Sequence, residues 1–182
     1  MVLPILFFLL IGEVVSKSCI DSNRPKVIKC LETFQKVAEA AGDYDLTNAT
    51  TTKSTNEVCG KFKRCSPAFA CETEQKIVYA LNMTLLFCDA AGFFTNEFLP
   101  CQIKLDSKTT ECSRAWNPFP AQIEDKKKMA EIQKEACNNY FGKDNCMREE
   151  IIRVCGAKQW NGFRKHHLAL NTIIGACHFK NE

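Results

Sequence analysis

The chain has 182 residues, twelve cysteines and a formal net charge of +3, from 24 basic and 21 acidic side chains. So slight a balance does not call for a nucleic-acid partner. The length suits one domain that buries most of its apolar surface.

The chain opens with a leader-like stretch. Residues 2–11 form an apolar run, shorter than the roughly 20 residues that span a bilayer. Val14 and Ser16 suit the −3 and −1 positions of a signal-peptidase site, which places cleavage before Lys17. The expected organisation is a signal peptide over 1–16 and a single twelve-cysteine helical domain over 17–182. Cleavage removes Glu13, raises the formal charge to +4 and leaves 166 of the 182 residues. No later stretch reads as a membrane span, and the polar end "HFKNE" matches neither a lipid-anchor tail nor a retention signal. The mature protein is expected to be secreted and extracellular, without a transmembrane segment.

The first expected helix covers 25–41. Val27, Leu31, Phe34, Ala38 and Ala41 recur at steps of three and four, Pro25 suits a first turn, and Gly42 is a stop signal. The Thr-rich 43–57 lacks apolar periodicity and reads as a surface loop carrying the glycosylation sequon at Asn48. A cysteine-dense turn region, "CGKFKRCSPAFAC", leads into a second helix over 72–88. Its inward stripe is Ile77, Leu81, Leu85 and Cys88, with a second sequon, Asn82, on the flank.

Residues 92–120, punctuated by proline and short polar runs, read as irregular. A helix over 123–141 is expected from Met129, Ile132, Ala136 and Tyr140 on one face, with Gly142 ending it. Asp144 or Asn145 is placed to cap the next helix, 146–155. After Gly156 a last helix is expected over 159–177, with Phe163, His167, Leu170, Ile174 and Cys177 along one side. No segment alternates like a strand. The fold class is all-α, a disulfide-rich bundle of about five helices.

Cysteine placement adds constraints. Cys19, Cys30, Cys59, Cys65, Cys71, Cys88, Cys101, Cys112, Cys137, Cys146, Cys155 and Cys177 form an even set in a chain expected to be secreted, which reads as six disulfides. No pair has the CxxC spacing of a zinc site. Cys146 and Cys155 are about 13.5 Å apart along a helix and on opposite faces, beyond the reach of a disulfide. Each must therefore bond to a different neighbour. The spacings between the first six cysteines (10, 28, 5, 5, 16) and the last six (10, 24, 8, 8, 21) follow one order of medium, long, short, short, long. "ALNMTLLFC" and "ALNTIIGAC" also share a register before the final cysteine of each set. A duplicated half, 19–88 and 101–177, would place most bonds within each half in equivalent pairs; coincidence remains the alternative.

No nucleophile elbow, zinc helix or phosphate loop is present, so no catalytic, cofactor or metal residue is assigned and no cofactor is expected. His166, His167 and His178 lack metal-site spacing, and His167 reads as a partly buried structural residue. Trp116 and Trp160 read as core rather than interface anchors. The basic runs at 61–64, 126–128 and 164–167 read as solvated helix faces.

The order "FLPC…LDS…C…WNPFP…C…FGKDNCMREEIIRVCGAKQWNGFR…C" resembles a nematode-expanded family of secreted twelve-cysteine domains, catalogued as a domain of unknown function (DUF nineteen). Cys146, Cys155, Gly156, Trp160 and Phe163 carry the sharpest part of it. The resemblance implies extracellular location and six disulfides, and supplies no activity. The function expected is non-enzymatic recognition, in an environmental or defence-related setting, of an extracellular protein, glycan or lipid, with no nucleic acid. A lipid-binding or membrane-active helical protein is the alternative.

Overall fold

A computed structural model describes residues 17–42, 49–108 and 110–179, with side chains from residue 25 onward except at residue 49. Every regular element among them is helical. The α-helices are α1 Lys17–Gly42, α2 Ala49–Cys65, α3 Gln75–Gly92, α4 Leu99–Asp106, α5 Glu111–Ala115, α6 Lys126–Asn138, α7 Cys146–Cys155 and α8 Ala157–Ile174. The chain divides into two compact units at Thr95/Asn96.

In the N-terminal unit, α1 and α2 lie antiparallel. Cys30 is bonded to Cys65 while Phe34 meets Phe62 at 5.7 Å, so rising numbers on α1 face falling numbers on α2. Val27, Cys30, Phe34 and Val37 of α1 are buried, as are Thr55, Cys59 and Phe62 of α2. Each large apolar side chain so buried contributes about 1.5–3 kcal/mol. Cys59 is bonded to Cys88 of α3, and Lys63 forms an ion pair with Asp89. The buried Glu72 accepts hydrogen bonds from the N–H groups of Thr73 and Glu74 at 2.8 and 2.9 Å, just before α3.

Three sequence expectations need correction here. The helix expected from Pro25 begins at Lys17 with Pro25 inside it; proline removes one i→i−4 hydrogen bond, and the helix runs through. The Thr-rich stretch and the "CGKFKRC" turn are largely α2. Its inward face is Thr55, Cys59 and Phe62, a polar residue, a cysteine and one ring, too weak a stripe to register as periodicity. Packing overrides the modest helix propensity of threonine. Residues 43–48, including the Asn48 sequon, lie outside the described residues.

α3 passes into a π-turn, Phe93–Glu97. Together Gln75–Glu97 form one helix long and apolar enough to cross a membrane by length and composition, contrary to the expectation that nothing beyond the leader qualifies. Half of its apolar window is buried inside the protein, and Cys88 ties it to α2. Its apolarity is that of a core helix. The buried face runs through Ile77, Ala80, Leu81, Thr84, Phe87, Cys88 and Ala91, with Leu85 only half-buried.

In the C-terminal unit α7 is held at both ends, Cys146 to Cys112 and Cys155 to Cys101. Cys137 at the end of α6 is bonded to Cys177. The stretch expected to be irregular contains α4 and α5. α4 starts with proline at its second position, where no N–H is needed. α5 carries a capping box between Thr110 and Ser113. Such short helices bury too few residues to show a period. α6 stops at Asn138, so Tyr140 lies in the turn beyond it. Asn145 occupies the cap position before α7 without a side-chain hydrogen bond. α8 ends at Ile174, with Gly175 left-handed at φ 67°.

The described bridges follow one rule. Counting six cysteines in each set, the second is bonded to the fourth and the third to the sixth in both units. In the second set the first is bonded to the fifth, Cys101 to Cys155. Cys71, the fifth of the first set, is also disulfide-bonded. No described bridge joins the units.

Candidate functional site

Lys29 precedes Cys30, and Arg64 precedes Cys65. The bridge between those cysteines holds their Cα atoms 5.5 Å apart, so it brings the two cations to the same seam. One helical turn further, Lys26 extends the α1 side and Lys61 the α2 side. These four line a partly open groove of about 690 Å³, with Thr33 and the Cys65 bridge between them. Pro67 and Ala68, from the 3₁₀ turn Ser66–Phe69, complete the lining.

No carboxylate is among the described side chains that line the groove. The ion pair on this helix uses Lys63, which points instead to Asp89. None of Lys26, Lys29, Lys61 and Arg64 has a carboxylate within ion-pair distance among the described residues. Like charges gathered around a low-dielectric concavity raise the local positive potential and attract anions. The guanidinium of Arg64 offers a planar fork suited to two oxygens of one oxyanion.

This arrangement was missed in the sequence, where the 61–64 run reads as one solvated face. The structure splits it: Lys61 and Arg64 join two lysines some 35 residues earlier, while Lys63 turns away. The usable signal was the dipeptide Lys-Cys at 29–30 and Arg-Cys at 64–65, legible only once the pairing is known. The equivalent positions around Cys112 and Cys146 are Lys108, Glu111, Gly142 and Asn145. The basic groove therefore belongs to the N-terminal unit alone.

The other concentration of chemistry is in the C-terminal unit, and it is sealed. His167 is buried among Trp116, Phe119, Tyr140 and Phe163, with ring centroids 5.0, 6.2, 6.5 and 4.3 Å away. Burial, and secondarily the neighbouring His166, lower its pKa to about 3, so at neutral pH the imidazole carries no charge. The Trp116 indole donates to the Tyr140 carbonyl at 2.9 Å, and the Tyr140 hydroxyl donates to the His167 carbonyl at 2.7 Å. Burial also pushes the Tyr140 phenol well above its usual range. Trp160 is buried and packs on Phe141 and Phe163. Trp116 and Trp160 belong to this aromatic core, half-buried and buried respectively. His166 is half-buried and His178 exposed; no metal-binding cluster forms among the described residues. Asn82 is exposed on α3, while Thr84 of the same sequon is buried and donates to the Ala80 carbonyl.

A family model described as "Domain of unknown function (DUF19)" matches residues 19–178. The chain belongs to this family. The Caenorhabditis elegans UPF0376 protein F10G2.1 is 31% identical over 170 residues, covering 91% of this chain and 85% of the relative. Excretory canal abnormal exc-13, also of Caenorhabditis elegans, is 31% identical over 169 residues, covering 89% and 83%. No solved structure matches the chain. Membership in DUF19 brings no assigned activity, which leaves the groove geometry as the guide to function.

Proposed function

We propose that this DUF19 protein is a secreted, disulfide-stabilised recognition module that binds an extracellular ligand without transforming it. The observation that carries the reading is the groove: four cations line a concavity, and no described carboxylate neutralises them. The one histidine drawn into the core is uncharged and enclosed by rings, a structural arrangement rather than a reactive one. A groove lined by cations suits a polar, anionic ligand better than the acyl chain of the lipid-carrier alternative.

Extracellular location is supported by the leader-like 1–16 and by a density of bridges that persists in oxidising compartments. Glycans at Asn48 and at the exposed Asn82 belong to the same reading. The repeated bond order favours descent from one duplicated six-cysteine half. The test is expression in a secreting eukaryotic host, with native mass spectrometry and amino-terminal sequencing of the medium. The expected product begins at Lys17, carries no free thiol and retains a non-covalent ligand. An intracellular product with residues 1–16 intact, or turnover of a supplied ester, peptide or glycoside, would contradict the proposal.

A further inference from the structure

We infer that the groove between α1 and α2 is a binding site for a sulfated polysaccharide chain. The inference deepens the recognition reading and rests on it. Lys26 and Lys29 are one turn apart on α1, Lys61 and Arg64 one turn apart on α2, and the Cys30–Cys65 bridge brings the two pairs together at Lys29 and Arg64, with Lys26 and Lys61 toward opposite ends. From Lys26 to Thr33 the groove runs along about 10 Å of helix, enough to meet several anionic groups along one linear chain.

The lining also discriminates among polyanions. Among the described residues it contains no aromatic side chain, whereas single-stranded nucleic acids are held by stacking bases on rings. Nor do the described residues present a large apolar side chain for insertion into a bilayer. Ile28, the exposed hydrophobic nearest in sequence, is 44% exposed, and helical geometry turns it to the far side of α1 from Lys26. What remains is a set of cations, a pattern for sulfate and carboxylate groups on a sugar chain; the Thr33 hydroxyl donates within α1, to the Lys29 carbonyl at 3.0 Å. Arg64 can take one sulfate by two parallel N–H donors while the lysines act as point charges.

The test is calorimetric titration of the full secreted protein with size-defined heparin oligosaccharides at about 50 and 200 mM salt. Saturable binding is expected, with an affinity that falls on a log–log salt slope of about −3 for four contacts. The quadruple variant Lys26→Gln, Lys29→Gln, Lys61→Gln, Arg64→Gln should lose at least tenfold in affinity. Removing equal charge elsewhere, by Lys126→Gln, Lys127→Gln, Lys128→Gln, Lys134→Gln, should cost less than threefold. Equal losses in both variants would overturn the inference, since binding would then follow net charge alone. So would the absence of heparin binding, or groove-dependent binding that appears with phosphatidylserine vesicles or single-stranded RNA and not with heparin. Lysine acetylation of the unaltered protein gives a reading independent of the variants' folding. Heparin should protect Lys26, Lys29 and Lys61 and leave Lys126, Lys127 and Lys128 reactive; the reverse pattern overturns the site. Failure here leaves the broader recognition reading to its own test, because that test asks for any retained ligand.

Discussion

Asn171 and Cys177 are joined by two hydrogen bonds of 2.8 Å. The Asn171 amide donates to the Cys177 carbonyl, and the Cys177 N–H donates to the Asn171 side-chain oxygen. Both residues are buried. The amide thus acts as a piece of backbone, closing the turn that Gly175 makes beyond α8 and delivering Cys177 to Cys137. Replacing Asn171 with Ala leaves a buried N–H and C=O unsatisfied, which should cost roughly 2–4 kcal/mol at about 1–3 per group and less than full additivity. Asn82 occupies the matching place before Cys88 but is exposed, because α3 continues straight through that cysteine. Asn82→Ala should change stability by less than about 0.5 kcal/mol. Guanidinium unfolding of the oxidised proteins measures both.

Gly142 should be the least replaceable glycine in the C-terminal unit. Its φ is +82°, and a Cβ there would stand 2.5 Å from Cys146 Sγ and 3.2 Å from Cys112 Sγ, at the bridge that anchors α7. Gly156 has a similar φ of +87° with nothing within 4 Å. At ψ 164° this is a region that essentially only glycine occupies, so Gly156→Ala should cost the backbone penalty of about 1–3 kcal/mol and no more. Gly142→Ala should cost clearly more, or give an incompletely oxidised product, which thermal melts and thiol titration will show.

The protein should be acid-sensitive through His167. Its folded pKa is lowered to about 3, against about 6.5 unfolded. The unfolded chain therefore takes up this proton first as pH falls. The stability tied to the neutral imidazole is fully present above about pH 6.5 and declines by about 1.4 kcal/mol per pH unit down to about pH 3. Carboxylates titrate in part of this window, so the readout is a difference. His167→Gln is expected to be less stable at pH 7 and to show a shallower loss between pH 6.5 and 4.5 by urea unfolding.

Thr55 is 1% exposed and its hydroxyl has no hydrogen-bond partner among the described residues. A buried hydroxyl without a partner costs about 1–3 kcal/mol. Thr55→Val keeps the branched shape and should raise the unfolding midpoint, or at worst leave it unchanged. A drop of more than about 1 kcal/mol would show that the hydroxyl is satisfied in solution.

The all-α class was legible in the sequence because Val27, Leu31, Phe34 and Ala38 recur with helical spacing, as do Met129, Ile132 and Ala136 further on. Helix α2 was not, because Thr55 and Cys59 hide its inward face from any hydrophobicity pattern. α4 escaped because the proline at its start was read as a breaker, and α5 because five residues with none buried show no period. On α8 the buried face is Trp160, Phe163, His167 and Asn171. The expected stripe, through Leu170 and Ile174, was displaced because nothing local marks Asn171 as a core residue; only the turn at Gly175 makes it one. The groove failed to show for the same kind of reason. Lys29 and Arg64 become neighbours through a covalent bond between residues 35 apart, a relation that spacing alone does not encode.

Two helical units, each cross-linked within itself, are the frame on which the groove and the sealed core both depend. Non-reducing proteolysis with mass-spectrometric mapping of the oxidised protein tests that frame most directly. It should recover Cys30–Cys65, Cys59–Cys88, Cys101–Cys155, Cys112–Cys146 and Cys137–Cys177 as linked peptides. Peptides joining a cysteine of 19–88 to one of 101–177 as the dominant species would contradict it.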